Sequence, residues 1–258
     1  MTAGLVVAVM NQKGGAGKTT AAVNLAAALG ESGKRVLVVD LDPQASASAW
    51  LGVADGGKGL YDAFTENGNL SDLVRETTAP GVDIVPSSSW LVGLEKAMAG
   101  EAGAETVLRR KLERLPGGRW DFVFLDCPPS LGFLAVSALV AAQEVLVPVE
   151  ASVLALSGLA QLLHTVEVVR DRLNPGLAIA HIVACRVDVR TNLSGEVVDR
   201  LRARFGDLVL QAVVRENVRL KEAPSFEKPI TLYAPTSSGA EDFRAVAAEL
   251  LKRERKRA

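Results

Sequence analysis

A short run of small and cationic residues follows the first apolar segment of the chain, Leu5–Met10, and its residue types suit phosphate binding. Its glycines let the backbone turn so that successive N–H groups can point at anionic oxygens. Lys18 can bring a positive charge to the terminal phosphates, and the hydroxyl of Thr19 can ligate Mg²⁺. We therefore predict a phosphate-binding loop whose contact residues are Lys13, Gly14, Gly15, Ala16, Gly17, Lys18, Thr19 and Thr20.

The loop departs from the common nucleotide-binding pattern G-x-x-x-x-G-K-[ST] at its start. Gly17-Lys18-Thr19 fit the end of the pattern, but Gln12 stands where the first glycine is expected. The Ala-rich run Thr20–Leu29 predicts a helix, whose N-terminal dipole also favours phosphate. A glycine-rich turn without a ligand is the alternative, but a strand, three glycines, Lys-Thr-Thr and a helix in that order favour the phosphate loop.

Two further apolar runs each end in an acidic residue. The run 35–40 ends in Asp40 and is soon followed by Asp42, and the run 121–126 ends in Asp126. Near-continuous apolar runs are typical of parallel strands that are buried on both faces, and ligands of open α/β sheets gather at the carboxyl ends of such strands. We therefore predict that these three acids face the nucleotide. The alternative for each acid is an N-cap of the helix that follows it.

Strand-like and helix-like segments alternate along the chain without a linker. Beyond residue 150 the pattern predicts a helix over 151–173, a strand over 179–187, a helix over 193–205 and a strand over 208–213. The glycine-rich segment 42–83 is the least regular. The predicted fold class is α/β: a doubly wound, mostly parallel twisted sheet of about seven or eight strands with helices on both faces, as in P-loop NTPases with Rossmann-like layers. We expect a single domain over residues 1–258.

The composition indicates a cytoplasmic protein with an aliphatic core. Of the 258 residues, 48% are hydrophobic and 5% aromatic, and the formal net charge is −1. Cys127 and Cys185 have no metal-ligand spacing, so we expect both to be reduced core residues. Leu5–Met10 is too short for a signal peptide. Polar residues interrupt the apolar run 131–149, which therefore predicts a core helix followed by a strand rather than a membrane span.

Three motifs resemble, in this order, those of the ParA/MinD superfamily of ATPases. K-G-G-A-G-K-T-T at 13–20 resembles its deviant Walker A box, D-L-D-P-Q at 40–44 its switch I, and D-C-P-P-S at 126–130 its Walker B motif with switch II. The resemblance implies ATP and Mg²⁺ as cofactors. The chain departs from the family after D-L-D-P-Q, where Gly-Asn-Ala is frequent and Ala45-Ser46-Ala47 stands here.

The resemblance also implies roles for the site residues. Lys13 is the signature lysine, which in the family reaches across a nucleotide-sandwich dimer to the phosphates of the partner. Asp42 orients or activates the attacking water, and Lys18 binds the terminal phosphates. These three, Lys13, Lys18 and Asp42, are the expected catalytic residues. The expected metal-site residues are Thr19 as a ligand, Asp126 holding the Mg²⁺ shell through water, and Asp40 supporting that shell.

A segment near the C-terminus narrows the resemblance to one branch. Val214–Ile230 is similar to the R-x-N-V-R-L-x-E-A-P-S-x-x-K-P-I block of chromosomal ParA/Soj partition ATPases, and with Ala234–Ala240 the likeness covers about the whole chain. In such proteins the ATP-bound dimer binds DNA without sequence preference, and a ParB-type centromere-binding partner stimulates hydrolysis. The resemblance therefore implies a cytoplasmic, nucleoid-associated ATPase that works as a homodimer in chromosome or plasmid partition.

The charge distribution is compatible with DNA binding. Residues 215–258 carry a net charge of +3, whereas residues 1–214 carry −4. A dimer would double the basic surface and so couple DNA affinity to ATP. The candidate phosphate contacts are Arg190, Arg215, Arg219, Lys221, Lys252 and Arg253. The alternative is that these are ordinary solvated charges on exposed helix faces and at a frayed terminus.

Relatives with other functions use the same ATPase. One class positions another cargo over the nucleoid, and MinD-type relatives bind a membrane through a C-terminal amphipathic helix. The C-terminal apolar stripe of this chain precedes the basic run 252–257, so we expect it to pack on the core and expect no membrane binding; it consists of Phe243, Val246, Ala247, Leu250 and Leu251. An electron-transfer relative would need cluster-binding cysteines at a dimer seam, which the two cysteines suit poorly, and we find no lid or acceptor site for a small-molecule kinase.

Overall fold

The computed structural model describes residues 4–65, 68–152 and 155–257. The strands in these ranges form one sheet, and they are β1 Leu5–Val9, β2 Val36–Asp40, β3 Arg75–Glu76, β4 Val82–Val85, β5 Phe122–Asp126, β6 Glu144–Glu150 and β7 Ala178–Cys185. Their order across the sheet is β3-β4-β2-β5-β1-β6-β7, and every neighbouring pair is parallel except β3 with β4. The prediction of a mostly parallel, doubly wound sheet is confirmed.

The helices follow the strands in alternation. They are α1 Lys18–Glu31, α2 Ser46–Trp50, α3 Gly59–Thr65, α4 Leu70–Leu73, α5 Leu94–Ala97, α6 Val107–Glu113, α7 Phe133–Ala141, α8 Ala155–Arg172, α9 Asn192–Phe205, α10 Val218–Glu222, α11 Ile230–Tyr233 and α12 Ser238–Arg257. Short 3₁₀ turns lie at Ser89–Gly93, Ala104–Thr106, Gly206–Leu208 and Ala223–Phe226.

Helices cover both faces of the sheet because successive residues of a strand point to opposite sides. On one face, Ala8 and Leu37 belong to an apolar cluster that includes side chains of α6, α7 and α8. On the other face, Val7 and Val38 belong to a second cluster that includes side chains of α1 and α12. Every residue of β2 and β5 is buried, which explains why both strands read as almost continuous apolar runs.

The C-terminal apolar stripe packs on this second face, as predicted. Phe243, Val246, Ala247 and Leu250 are buried in the cluster around α1, and Leu251 is packed against it. Side chains that fill the core cannot at the same time enter a bilayer. Within the described ranges, no helix combines the length and apolar character needed to cross a membrane.

The two cysteines are buried, as expected from the sequence. Cys127 directly follows β5 and Cys185 ends β7. Burial raises the pKa of the Cys185 thiol to about 12, so this side chain stays a neutral core residue. The apolar run 131–149 forms α7 and β6, which also agrees with the prediction.

The predicted strand over 208–213 is wrong. The structure has a 3₁₀ turn at Gly206–Leu208 and only a single parallel bridge between Val209 and Ile182. The reason is a side chain: the backbone N–H groups of residues 211 and 212 donate to the carboxylate of Glu249 at 3.1 and 2.9 Å instead of to a neighbouring strand. A carboxylate 37 residues away in sequence thus interrupts the pairing, which resumes where the N–H of Val214 donates to the carbonyl oxygen of Ala184 at 2.8 Å; hydrophobic alternation cannot reveal this interruption.

Two other segments differ from the prediction. Segment 42–83, expected to be irregular, contains α2, α3 and α4 and the short strand β3. The helix predicted from residue 151 begins at Ala155 in α8, with residues 151 and 152 in a bend and residues 153 and 154 outside the described ranges.

Candidate nucleotide site and basic surfaces

The phosphate loop and two of the predicted acids meet at the carboxyl edge of the sheet. Val9, the last residue of β1, is in register with Asp126 of β5, and Asp126 is in register with Asp40 of β2. Because β2, β5 and β1 are neighbours, the loop after β1 lies beside both carboxylates. This is the edge at which open α/β sheets bind ligands.

The backbone of the loop has the conformation that its glycines allow. Gly15 and Gly17 have φ angles of +74° and +90°, which residues with a Cβ rarely adopt. A Cβ added at Gly14 or Gly15 would meet nothing within 4 Å, so the rim of the loop is open. Gly17 is the N-cap of α1 and provides no side-chain cap, so the N–H groups of the first helical turn remain available to an anion.

Lys18 is the buried cation of the site. Its side chain lies in the loop-to-helix junction, and burial lowers its pKa, while the charges of Asp126 and Asp42 act in the opposite direction. An ammonium group held in a partly desolvated position interacts strongly with a phosphate, because water screens it less than it would at the surface. Position and environment both agree with the predicted phosphate contact.

Asp126 is fully buried, and neither of its carboxylate oxygens has a hydrogen-bond partner of acceptable length and angle among the described residues. Burial raises its pKa well above the usual range, the neighbouring Asp40 raises it further, and the nearby Thr19 hydroxyl lowers it. A buried carboxylate without partners is costly unless a cation or its water shell binds there. Carboxylate and hydroxyl oxygens are the ligands that Mg²⁺ prefers, so Asp126 and Thr19 fit this ion.

Asp40 differs from Asp126, although both are buried strand ends. One of its oxygens accepts hydrogen bonds from the N–H and the hydroxyl of Ser48 at 2.9 and 2.7 Å, and the other accepts from the N–H of Asp42 at 3.2 Å. Burial raises its pKa to about 6 against these bonds. Asp40 therefore satisfies an N–H group in the first turn of α2, so the helix-capping alternative describes part of its role.

Two serines that the sequence analysis missed hold the switch I segment. Ser48 accepts a hydrogen bond from the N–H of Ser87 at 3.0 Å, and the Ser87 hydroxyl donates to the carbonyl oxygen of Asp42 at 2.6 Å. Asp42 is only half-buried, and its carboxylate accepts from the N–H of Gln44 at 3.0 Å. Ser87 follows β4 at the same sheet edge, and that position was the signal available in the sequence.

Lys13 lies on the rim of the loop and points towards a different strand. Its ammonium group contacts one carboxylate oxygen of Glu150, and the other oxygen of Glu150 lies 3.3 Å from the guanidinium of Arg186. The Lys13 side chain remains 45% exposed. Neither Glu150 nor Arg186 was predicted, although Glu150 ends an apolar run just as Asp40 and Asp126 do.

A cavity of about 410 Å³ opens beside the phosphate loop. Gly15, Gly17 and Thr20 form its loop side, and Arg186 and Asn217 are among the residues on the opposite side. Asn217 caps α10 by accepting from the N–H of Arg219 at 2.8 Å, and its amide donates to the Ser238 hydroxyl at 2.6 Å. The segment that resembles the partition block thus lines a cavity at the phosphate loop.

The first group of predicted DNA contacts, which we name the front cluster, consists of Arg190, Arg215, Arg219 and Lys221. Two of its members, Arg215 and Lys221, line the cavity beside the phosphate loop. Each member is paired with a nearby carboxylate at 2.6–2.9 Å; the pairs are Arg190–Asp188, Arg215–Asp242, Arg219–Glu222 and Lys221–Glu216. The pairing lowers the positive charge that this surface presents.

The other two predicted contacts, Lys252 and Arg253, lie near the end of α12 beside Arg255 and Lys256, and we name these four residues the tail cluster. Arg253 is engaged: it donates to the carbonyl oxygens of Asp207 and Val209 at 2.6 and 3.2 Å and pairs with Glu249 at 2.7 Å. Lys252, Arg255 and Lys256 are exposed and have no carboxylate within 4.0 Å among the described residues. The side chain of Arg257 lies outside the description.

A mostly parallel sheet with a glycine-rich phosphate loop between its first strand and the following helix defines the class of P-loop nucleotide hydrolases. Residues 4–179 match the family model described as an AAA domain. The sporulation initiation inhibitor protein Soj of Bacillus subtilis strain 168 is 42% identical over 249 residues, which cover 96% of this chain and 98% of that protein. The chromosome-partitioning ATPase Soj of Thermus thermophilus is 47% identical over 247 residues, covering 96% and 95%.

Among solved structures, the cobyrinic acid a,c-diamide synthase of Mycobacterium smegmatis with bound ADP and magnesium matches with a TM-score of 0.85 and 32% identity, covering 99% of this chain and 97% of that one. The chain therefore belongs to the AAA domain family and, within it, to the ParA/Soj type of partition ATPases.

Proposed function

We propose that this chain is a DNA-partition ATPase that switches between two states. Its ATP-bound form is a sandwich homodimer that binds duplex DNA without sequence preference, and a ParB-type partner stimulates hydrolysis and so releases the dimer. Residues 1–258 act as one ATPase domain, located in the cytoplasm and associated with the nucleoid. Its near-full-length likeness to Soj proteins supports this role.

ATP and Mg²⁺ are the cofactors of this ATPase, and the donor set at the sheet edge fits them. In the proposal, Lys18 and the N–H groups of residues 13–20 bind the phosphates, and Thr19 and Asp126 hold the metal, with Asp40 supporting its shell through the switch I segment. The ion, when bound, neutralises charge on the β- and γ-phosphate oxygens. The observation that supports this metal site is that both buried carboxylate oxygens of Asp126 lack a hydrogen-bond partner among the described residues.

The contrast between the two lysines of the loop is the observation that supports the proposed dimer. Lys18 is 7% exposed and faces the acids of its own subunit, whereas Lys13 is largely exposed and is held at the rim by Glu150. An exposed cation at the rim of the loop can reach a phosphate site in a second subunit that faces it. We therefore assign Lys13 to the phosphates of the partner.

Asp42 is assigned to the attacking water. Its carboxylate is half-buried at the same edge as Lys18 and Asp126, and its position is fixed through its own N–H to Asp40 and through its carbonyl to Ser87. A carboxylate with such support can accept a proton from, or orient, a water molecule that attacks in line. Closing a second subunit over the site would exclude bulk water from this reaction.

The front cluster and the three exposed cations of the tail cluster are the proposed DNA contacts, whereas the engaged Arg253 is assigned to the fold. Binding through phosphates alone needs no base-reading element, and a dimer presents each cluster twice. The membrane-binding alternative is less well supported because the apolar stripe of α12 is buried in the core. Positioning of another cargo over the nucleoid would use the same surfaces and differ only in the partner.

The test is binding of the full chain to random-sequence duplex DNA with ATP, with ADP or without nucleotide, each across a salt series. We expect tight binding only with ATP, with a logarithmic salt slope of about 0.9 per phosphate contact. Lys13→Ala serves as the matched variant: it should bind ATP but neither dimerise nor bind DNA. Wild-type protein that dimerises with ATP yet binds no DNA at low salt would refute the DNA role.

A further inference from the structure

A second group of side chains that could ligate a metal ion lies far from the phosphate loop. Glu144 is the first residue of β6, His181 lies within β7, and Glu254 lies near the end of α12. One nitrogen or oxygen atom of each residue lies within 4.8 Å of those of the other two. The nucleotide site uses none of them, because it lies at the opposite ends of the strands.

The sheet and α12 bring these residues together for simple geometric reasons. His181 is in register with Leu146, and Leu146 packs in the apolar cluster that includes α12. Glu144 is two residues before Leu146 on the same strand and therefore points to the same face. The last turns of α12 cover this face, so Glu254 meets both side chains there.

The distances suit two ligands of one cation. The Nε2 atom of His181 lies 3.2 Å from the Oε2 atom of Glu144. Two ligands of a tetrahedral ion with metal–ligand bonds of about 2.0–2.1 Å are about 3.3 Å apart. The three side chains come from three separate elements, so a bound ion would cross-link β6, β7 and α12.

His181 supplies the nitrogen of this group. Its side chain is 3% exposed, and its Nδ1 atom is buried without a hydrogen-bond partner among the described residues. A neutral imidazole carries one N–H and one lone pair. The nitrogen that faces Glu144 is Nε2, so an ion shared with Glu144 would take the Nε2 lone pair and leave the imidazole proton on Nδ1.

The local charge also favours a cation. Glu144 is 7% exposed and Glu254 is half-exposed, and both carboxylates would attract a cation bound between them and His181. One imidazole nitrogen with two carboxylate oxygens is a donor set typical of Zn²⁺ and related transition metals, whereas Mg²⁺ prefers oxygen ligands alone. We propose that Glu144, His181 and Glu254 form a binding site for one divalent transition-metal ion of the zinc class.

The site would fix the end of the helix that carries the tail cluster. Arg253 and Arg255 flank Glu254 directly in the sequence. An ion bound to Glu254 would hold the last turns of α12 on the sheet and reduce their fraying. The metal would therefore order the tail cluster without touching it.

The test is a titration of the full-length, tag-free, nucleotide-free chain with Co²⁺ in the presence of excess Mg²⁺. Co²⁺ reports on its ligands by absorption, and Mg²⁺ occupies the oxygen ligands of the phosphate loop. We expect one equivalent of Co²⁺ to bind with the spectrum of a nitrogen- and oxygen-ligated ion, and Zn²⁺ to displace it. His181→Ala should weaken binding by at least about tenfold, since loss even of groups that only orient metal ligands costs about 10–100-fold.

The matched control is His164→Ala, because His164 is the only other histidine of the chain and is exposed on α8. This variant should bind Co²⁺ like the wild type. Glu254→Gln, at a half-exposed helix position, tests the site if His181→Ala fails to fold, and it should both weaken binding and change the spectrum. Co²⁺ affinity that is equal in the wild type and Glu254→Gln, or a wild type that binds no equivalent of Co²⁺, would overturn the proposal.

Discussion

The front and tail clusters have similar numbers of cations but differ in how free those cations are. Every member of the front cluster is paired with a carboxylate within 2.9 Å. In the tail cluster only Arg253 is so paired, and three exposed cations have no carboxylate within 4.0 Å among the described residues. The front cluster adjoins the phosphate loop, whereas the tail cluster lies near Asp207 and the start of β7.

α12 separates the two clusters. Its first residue, Ser238, is bonded to Asn217 beside the front cluster, and Arg253 lies 15 residues further along the helix. At about 1.5 Å per residue this is about 22 Å. In the proposed function, bound nucleotide would act on the front cluster, which adjoins its site, and on the tail cluster through the dimer that presents it twice. We infer that the unpaired cations of the tail cluster supply most of the affinity for DNA. The paired cations of the front cluster would make that affinity depend on nucleotide.

The largest effect is expected from Lys18→Ala. Removing a buried cation from the phosphates should weaken ATP binding by about 100-fold or more, because hydrogen bonds to charged groups contribute about 1.5–3 kcal/mol each. ATP-dependent DNA binding should disappear with it, leaving only weak binding through the tail cluster of the monomer. Lys96→Ala, an exposed lysine on α5, is the control. Retained ATP affinity, measured by calorimetry, would remove Lys18 from the phosphate site.

Asp42→Ala should have the next largest effect, on turnover instead of binding. Loss of the group that orients water should lower phosphate release by about 100-fold, as expected for a general-base residue, while ATP affinity remains. The trapped ATP dimer would keep both clusters of both subunits on DNA, so DNA dissociation should slow. Asp72→Ala, an exposed acid on α4, controls for the charge change. Turnover at the wild-type rate would show that Asp42 has no part in hydrolysis.

A smaller effect is expected from removing free charge in the tail cluster. The double substitution Lys252→Ala with Arg255→Ala should lower DNA affinity about tenfold at low salt, and the salt slope should fall by about 0.9 for each DNA phosphate that the variant no longer neutralises. Lys96→Ala with Arg110→Ala removes the same charge from α5 and α6 and should leave the slope unchanged. An unchanged slope in the tail variant would place the DNA-binding surface elsewhere.

Arg253→Ala separates structure from binding within the same cluster. Its guanidinium already bonds two carbonyl oxygens and Glu249, so its loss should lower the thermal midpoint by a few degrees while the salt slope hardly changes. The two readouts come from one protein sample, by thermal unfolding and by DNA titration. A slope change as large as that of the Lys252 and Arg255 double variant would contradict the assignment of Arg253 to the fold.

Whether a site residue could be predicted from the sequence depends on how far apart in the chain the interacting residues lie. The loop 13–20 and the strand-end acids could be predicted because residue type and position within one short segment determine them. Ser87 and Glu150 gave only a signal of position at a strand end, and their partners, like that of Asp242, depend on the sheet order or the path of α12. The same limit explains the wrong strand over 208–213, where the side chain of Glu249 replaces a strand partner.

The smallest predicted effect tests whether pairing restrains the front cluster. Arg219 pairs with Glu222 at 2.9 Å, and Glu222 also accepts from the Tyr233 hydroxyl at 3.0 Å. Glu222→Gln keeps an acceptor for that hydroxyl but removes the charge that opposes DNA phosphates. An exposed pair of this kind is weak because water screens it, so releasing Arg219 should raise DNA affinity at most about fivefold, and stability should change little.

Glu227→Gln is the control for this variant, since Glu227 is exposed nearby and forms no ion pair within 4.0 Å among the residues described. Both variants lose one negative charge, so general attraction to DNA rises equally in both. Only a gain in Glu222→Gln beyond that of Glu227→Gln measures the release of Arg219. Equal gains would mean that the front cluster acts through total charge, and the distinction between free and paired cations would then not govern DNA binding.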